Sequence, residues 1–167
     1  MSETDESVSG KVLRGIVAGV VAGTVASFAM DRFQAGVAAL SSAQDNKDEP
    51  ATEQAADATA RWITGAEVPK ADKPLAGQAI HYALGIGLGV AYSVAAEFRP
   101  TVTAGYGAAF GVGTATVLDE GAVPAVGLGE APWNADPTTT LYSYASHLVF
   151  GGVAELVRRQ VRSTLVG

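Results

Sequence analysis

Two long stretches of this chain contain no charged residue, and this feature restricts the fold more than any other. Residues 15–30 (GIVAGVVAGTVASFAM) and residues 101–118 (TVTAGYGAAFGVGTATVL) lack Asp, Glu, Lys and Arg. A helix needs about 20 mainly apolar residues to cross the hydrocarbon core of a bilayer. A helix of a soluble all-α protein usually carries charged residues along one face. The two stretches therefore favour an integral membrane protein.

Four apolar segments predict an all-α fold, an integral membrane four-helix bundle with up-down topology and helix contacts rich in glycine and alanine. The predicted helices cover residues 12–40, 74–98, 101–118 and 137–160. Pro74 and Pro100 bound the second helix, and Asp136-Pro137 reads as an N-cap followed by a first-turn proline. The segments form a single domain, 12–162, after an acidic tail, 1–11. A polar external loop, 41–73, has a centre (ATEQAADATARWIT) that predicts a short surface helix.

The distribution of basic residues predicts the orientation. Arg158, Arg159 and Arg162 follow the fourth apolar run, whereas residues 119–136 contain no Lys or Arg. Short loops rich in Lys and Arg stay in the cytoplasm. We therefore expect a multi-pass protein of the cell inner (plasma) membrane with both termini cytoplasmic and the loop that contains Trp133 outside.

Composition and motifs exclude several kinds of chemistry. The chain has no cysteine, which excludes disulfides, thiolate metal sites and cysteine nucleophiles. A net charge of -6 and the lack of a basic stripe argue against a nucleic-acid partner. Neither a phosphate-binding loop nor a nucleophile elbow is present. We predict a protein that is not an enzyme, has the lipid bilayer as its partner and requires no cofactor. The sequence leaves open whether the chain forms a homo-oligomer or belongs to a larger membrane complex.

Small residues recur every four positions in each predicted helix. Four-residue steps keep side chains on one ridge of a helix, and small side chains there let two backbones approach closely. The ridges predict that seven glycines lie at helix–helix contacts: Gly19, Gly23, Gly85, Gly89, Gly107, Gly111 and Gly151.

The same ridges lead to ionisable residues, which makes those residues candidates for a buried polar cluster. With up-down topology, Asp31, His81, Asp119 and His147 converge in the outer half of the membrane. Intramembrane ionisable groups are functional candidates because their burial is costly. Three roles remain open at this stage: a brace between helices, a proton or ion path, and a metal or haem site. A metal site would use His81, Asp119, Glu120 and His147.

A second group of charges gathers at the cytoplasmic end. It consists of Glu97, Arg99, Glu155, Arg158 and Arg159. Long basic side chains extend to the interface while their stems stay in apolar surroundings. We therefore predict interfacial ion pairs there, with a structural role.

The chain resembles the YagU-like family of bacterial and archaeal inner membrane proteins. The resemblance rests on GIVAGVVAGTVASFAMDRFQ, HYALGIGLGVAYSVAAEFRP, PAVGLGEAPW and SHLVFGGVAELVRR. Matching family positions are His81, Tyr92, Glu97, Pro124, Trp133, His147, Glu155 and Arg158, whereas some relatives carry histidine at the position of Asp119. The resemblance implies a multi-pass membrane protein linked to acid or stress tolerance, with no established reaction. The alternatives are a metal- or haem-binding membrane subunit and an accessory packing subunit of a larger complex.

Overall fold

The computed structural model describes residues 7–40, 49–131 and 133–166, and within these ranges the chain is helical and has no β-strand. The all-α prediction is therefore confirmed for the described residues. The elements in chain order are α1 (Val8–Leu40), α2 (Ala51–Thr64), α3 (Lys73–Phe98), a 3₁₀ turn (Pro100–Thr103), α4 (Ala108–Thr114), a π-helical segment (Ala115–Ala122), α5 (Val123–Ala125) and α6 (Pro137–Val166). The predicted tail and polar loop extend into residues 1–6 and 41–48, which lie outside the described ranges.

Two helices among the described residues, α1 and α3, are long and apolar enough to cross a membrane. They contain 33 and 26 residues, and only 44% and 28% of their most apolar windows are buried inside the protein. Helix α6 has 30 residues, but Glu155, Arg158 and Arg159 interrupt its apolar sequence. The large apolar residues of α1 are mainly exposed, and those of α3 are exposed or partly buried.

The third predicted helix, residues 101–118, is interrupted. Gly105, Tyr106 and Gly107 have positive φ angles of 62°, 54° and 87°, a conformation that a right-handed helix does not contain. Helix α4 begins only after them, and the backbone then widens into the π-helical segment. The stretch has no charged residue but contains four glycines, and glycine lowers the helix propensity of a segment. The other predicted boundaries shift less: α1 begins at Val8 and α6 continues to Val166.

Glycine residues allow α1 and α3 to pack backbone against backbone in opposite directions. A Cβ atom added to Gly89 would lie 2.6 Å from the carbonyl oxygen of Gly19 and 2.7 Å from the Cα of Gly23. A Cβ added to Gly85 would collide with the Ser27 hydroxyl. This close approach brings the backbones of α1 and α3 into van der Waals contact where the two helices cross.

A similar close contact joins α6 to the segment before the π-helix. An added Cβ at Gly151 would lie 2.8 Å from the backbone nitrogen of Gly111, and one at Gly107 would meet the Gly151 carbonyl.

Helix α6 begins after Asp136, whose Oδ1 accepts a hydrogen bond from the Thr138 N–H at 2.7 Å. The Thr138 hydroxyl donates to the same carboxylate, and this hydrogen bond, together with the one from the N–H, holds the pKa of Asp136 below its ordinary value.

A buried aspartate holds α2 against the start of α3. Asp57 is 4% exposed, and it accepts hydrogen bonds from Lys73 and from the Val68 N–H, the latter at 3.0 Å. Lys73 also donates to Glu49 at 2.6 Å. The Lys73 ammonium group keeps the pKa of Asp57 below its ordinary value of 3.8, although burial of the carboxyl acts in the opposite direction.

Docking of α2 should therefore depend on pH. The pKa of Asp57 is lowered in the folded protein, so its contribution to stability is present above pH 3.8 and is lost as the pH falls through the lowered pKa. We expect the amide protection of residues 51–64 to fall in acid, and Asp57→Asn to remove it at neutral pH as well. Hydrogen exchange, corrected for the intrinsic effect of pH on exchange, measures both changes. Glu67→Gln is the control because the Arg61–Glu67 pair is exposed and contributes little.

Candidate functional site

Polar side chains meet at both ends of the packed helices. One group, termed the His–Asp end, comprises Asp31, His81, Asp119 and His147. The other, termed the arginine end, comprises Arg14, Tyr92, Glu97, Glu155, Arg158, Arg159 and Arg162. The two ends are defined by contacts between helices: Asp31 of α1 meets His81 of α3, whereas Arg14 of α1 meets Glu97 of α3.

The first histidine contact joins α1 to α3. His81 Nε2 lies 3.2 Å from Asp31 Oδ1, and the two side chains are 22% and 18% exposed. The two atoms are not aligned for a hydrogen bond. The buried Nε2 atom of His81 therefore has no hydrogen-bond partner among the described residues. Gln78 donates to Asp31 Oδ2 at 2.7 Å. Tyr82 also interacts with this carboxylate, and Arg32 lies close enough to act electrostatically on Tyr82.

The second histidine contact joins the π-helical segment to α6. His147 Nδ1 lies 3.4 Å from Asp119 Oδ2 and 3.1 Å from the carbonyl oxygen of Ser143. The Ser143 hydroxyl donates to the same Asp119 carboxylate. The His147 side chain is 10% exposed and that of Asp119 is 35% exposed. Asp119 lies in the π-helical segment, and π-helical turns are frequent at functional sites. This position makes the Asp119–His147 pair a candidate functional contact.

The four residues thus form two His–Asp pairs at the same end of the molecule. Within the described ranges, no three His, Asp or Glu side chains are grouped so that they could hold a metal ion. The four residues considered for a metal from the sequence, His81, Asp119, Glu120 and His147, therefore do not make such a group there. Whether the two pairs adjoin each other stays a prediction.

Glu155 is the centre of the arginine end. Its side chain is 1% exposed and accepts hydrogen bonds from Tyr92 at 2.8 Å and from two nitrogens of Arg158 at 2.8 and 3.0 Å. Arg159 donates to it as well. Tyr92 in turn stacks on Phe110 with ring centroids 4.2 Å apart. A buried carboxylate is stable only with such partners, so Glu155 fixes α3 and α6 relative to each other.

Glu97 is the second buried carboxylate, with a side chain that is 2% exposed. Arg14 of α1 donates to one of its oxygens, and Arg162 of α6 donates to the other at 2.9 Å. Arg158 approaches it to 4.0 Å and so lies between the two carboxylates. The arginine end therefore links α1, α3 and α6 through one continuous network of charges.

The sequence predicted only part of this network. Glu97, Glu155, Arg158 and Arg159 lie in it, whereas Arg99 is exposed and belongs to none of the ion pairs among the described residues. Sequence reasoning missed Arg14 and Arg162 as members. Four-residue spacing was the available signal for both: Arg14 precedes the buried Ala18, Ala22 and Ala26, and Arg162 follows Arg158.

An apolar layer lies between the two ends along α6. Phe150 and Ala154 are 3% and 0% exposed, and they come between His147 and Arg158 in the helix. They pack with Ala26 and Met30 of α1, and partly buried Leu88, Phe110 and Val153 surround them. Packed hydrocarbon therefore separates the two ends along α6, while the buried hydroxyl groups of Ser27 and Ser93 lie between the ends on α1 and α3 without a hydrogen-bond partner among the described residues.

Fold and site together define an all-helical protein with two helices able to span a membrane and with buried ionisable contacts between helices. Residues 42–156 match the model of the family described as "Protein of unknown function (DUF1440)", and the chain belongs to this family. No curated protein and no solved structure matches the chain. The matched range includes both histidines but ends before Arg158 and begins after Arg14 and Asp31.

Proposed function

We propose that this protein is a multi-pass inner membrane protein whose two His–Asp pairs make helix packing respond to proton concentration, in a role in acid or stress tolerance of the kind that the YagU-like resemblance implies. It acts without catalysis, has both termini in the cytoplasm and presents the His–Asp end to the outside. The observation that carries the proposal is that each histidine lies within 3.4 Å of an aspartate on a different helical element.

The surface of α1 supports the membrane location. Its buried face consists of small residues, with Ala18, Ala22 and Ala26 at most 1% exposed, whereas Val17 and Phe28 on the outer face are 41% and 54% exposed. A soluble protein rarely exposes so large a continuous apolar surface. Small residues inside and large apolar residues outside are the arrangement that lipid favours. By this reasoning, α1, α3, residues 100–125 and α6 form four crossings.

The pairs have the chemistry of a proton-responsive contact. Histidine changes charge between about pH 5 and 8. A neutral imidazole makes at most a hydrogen bond to a carboxylate, whereas an imidazolium also makes an ion pair, and it can donate from both ring nitrogens. Protonation of His81 and His147 should therefore tighten the contacts of α1 with α3 and of the π-helical segment with α6.

The apolar layer favours a sensor over a proton path. Continuous transfer would need a connected chain of hydrogen-bonding groups from the His–Asp end to the arginine end. Phe150 and its packed neighbours fill the space along α6, and the buried Ser27 and Ser93 hydroxyls between the ends make no hydrogen bond among the described residues. A metal or haem role has less support, because the histidines have separate aspartate partners and the described residues provide no larger ligand group.

Spin-label distances test the proposal directly. The natural chain has no cysteine, so single pairs of labels can be introduced without background. Exposed Val117 and Leu141 lie on the two elements joined by His147 and Asp119. We expect the distance distribution between labels at these positions, in the full chain in lipid nanodiscs, to narrow when the pH falls from about 8 to about 5. His147→Gln should abolish that change.

Two controls make the result specific. Labels at exposed Leu13 and Leu156, at the arginine end, should give the same distribution at both pH values. His81→Gln should leave the Val117–Leu141 response in place, because His81 pairs with Asp31 instead. An unchanged distribution in the natural sequence, or the same response in His147→Gln, would contradict the proposal.

A further inference from the structure

We infer that the cavity at the arginine end is a binding site for the phosphate group of an anionic ligand, with Arg162 and Arg159 as the contacting residues. The site is separate from the proton-responsive pairs. Only the preference for a lipid as the source of the phosphate rests on the membrane location proposed above.

The cavity lies where α3 ends and α6 passes it. Its volume is about 420 Å³, large enough for a phosphate group with part of the molecule that carries it. The end of α3, the 3₁₀ turn and the last turns of α6 contribute the walls. The lining residues are Ala96, Glu97, Pro100, Thr103, Arg158, Arg159, Arg162 and Ser163.

The charges around this cavity do not balance. Three guanidinium groups line it, those of Arg158, Arg159 and Arg162, and among the described residues they share the two carboxylates of Glu97 and Glu155. Glu97 is also paired with Arg14, so the guanidinium groups at the cavity outnumber the carboxylates left to them. The Glu97 carboxylate faces the cavity but is neutralised, since one oxygen accepts from Arg14 and the other from Arg162. An anion in the cavity would meet excess positive charge.

Arg162 retains unused donors at the cavity. Within the described part of the chain it hydrogen-bonds through Nε alone, to Glu97, and its side chain is 48% exposed. A guanidinium group has five N–H donors in a planar fork that matches a phosphate. Arg159 is 49% exposed, donates to Glu155 through Nε and lies over the Tyr106 ring at 4.6 Å. Both arginines can therefore reach a ligand while they keep their carboxylate partners.

Apolar side chains next to the cavity favour a lipid headgroup over a free phosphate. Phe98 at the end of α3 and Leu156 on α6 are 46% and 69% exposed, and Tyr106, which is 73% exposed, lies beneath the guanidinium group of Arg159. A lipid would place its phosphate among the arginines and its acyl chains along these residues. Basic sites between helices on the cytoplasmic side are suited to anionic headgroups. A soluble phosphate would gain nothing from the apolar surround.

Lipid retention by the full-length protein tests the inference. The protein is transferred to nanodiscs of phosphatidylcholine with or without phosphatidylglycerol, and bound lipid is counted by native mass spectrometry after release. We expect selective retention of phosphatidylglycerol, weakened roughly tenfold by Arg159→Gln together with Arg162→Gln, because two charged, forked donors are lost. Arg99→Gln is the matched control, since Arg99 is exposed near the same end but does not line the cavity.

Two further measurements distinguish a lipid phosphate from a free phosphate, and loss of binding from loss of folding. Millimolar inorganic phosphate should leave the lipid bound. If inorganic phosphate displaces the lipid, or raises the melting temperature without any preference for phosphatidylglycerol, the site binds a soluble phosphate. If the double variant does not fold, Arg162→Lys keeps the charge but not the fork and should still weaken retention. Equal binding of all probes to the natural chain and the folded variants, or equal loss in Arg99→Gln, would overturn the inference. His147→Gln should leave retention unchanged, so the two proposals can fail independently.

Discussion

Replacing Glu155 with alanine should destabilise the folded protein by about 3–5 kcal/mol, which is a large share of the stability of a typical domain. The carboxylate is 1% exposed and accepts hydrogen bonds from Tyr92 and from both Arg158 and Arg159. Its removal leaves Arg158, itself 7% exposed, with the more distant Glu97 at 4.0 Å as its one carboxylate partner among the described residues. An uncompensated buried guanidinium group is far more costly than a missing contact at the surface.

Unfolding in detergent, followed by circular dichroism, measures this effect. Glu130→Ala, in an exposed loop, is the control and should change the free energy of unfolding by less than about 0.5 kcal/mol. The double change Glu155→Leu with Arg158→Met removes both charges and should be less destabilising than Glu155→Ala alone. If Glu155→Ala and Glu130→Ala unfold alike, the network at the arginine end does not hold the helices together.

Much of the helical content could be predicted because it depends on local sequence. The sequence marks α1, α3 and α6 by the uncharged run after Arg14 and by the prolines at 74, 100 and 137. Most of the predicted helix ends lie within a few residues of the observed ones. The stretch ATEQAADATARWIT corresponds to α2, Ala51–Thr64. Proline position and charge distribution act within a few residues of the chain, so a sequence pattern reports them directly.

The interruption of the third predicted helix could not be read in the same way. Hydropathy records only that residues 101–118 are uncharged, and glycine scores alike in a helix and in a turn. The positive φ of Tyr106 is the clearest case, because a non-glycine residue enters that region only when its surroundings require it. Here the Arg159 guanidinium group over the Tyr106 ring and the close packing of Gly107 on Gly151 fix the turn.

The candidate sites were predictable to the level of the helix end but not of the partner. Up-down topology places Asp31, His81, Asp119 and His147 at one end, and they lie there as two pairs. Which carboxylate meets which histidine depends on the rotation of each helix, and in the third segment on the π-helical turn that carries Asp119. Spacing along one sequence contains no information on that rotation across helices.

Adding a single methyl group at Gly19 should destabilise the protein, while the same change at Gly36 in the same helix should stabilise it. Alanine favours a helix over glycine by about 0.5–1 kcal/mol, and Gly36 has no neighbouring atom within 4 Å of an added Cβ, so Gly36→Ala should gain that amount. At Gly19 the added Cβ would press on the backbone of Gly89 and Val90, 2.6 Å from the Gly89 carbonyl oxygen. Backbone atoms cannot rotate away as a side chain can, so α1 and α3 must separate.

Separation of α1 from α3 weakens packing along their whole contact, which should exceed the gain in helix propensity and give a net loss of about 1–3 kcal/mol. Gly19→Leu should be worse still, whereas Gly36→Leu should stay close to the natural sequence. The four variants are compared by thermal unfolding in the same detergent and again in nanodiscs. Opposite signs for the two alanine variants would establish that backbone contact at Gly19 holds α1 against α3. A stabilising Gly19→Ala would mean that the two helices do not approach as closely as their glycines permit.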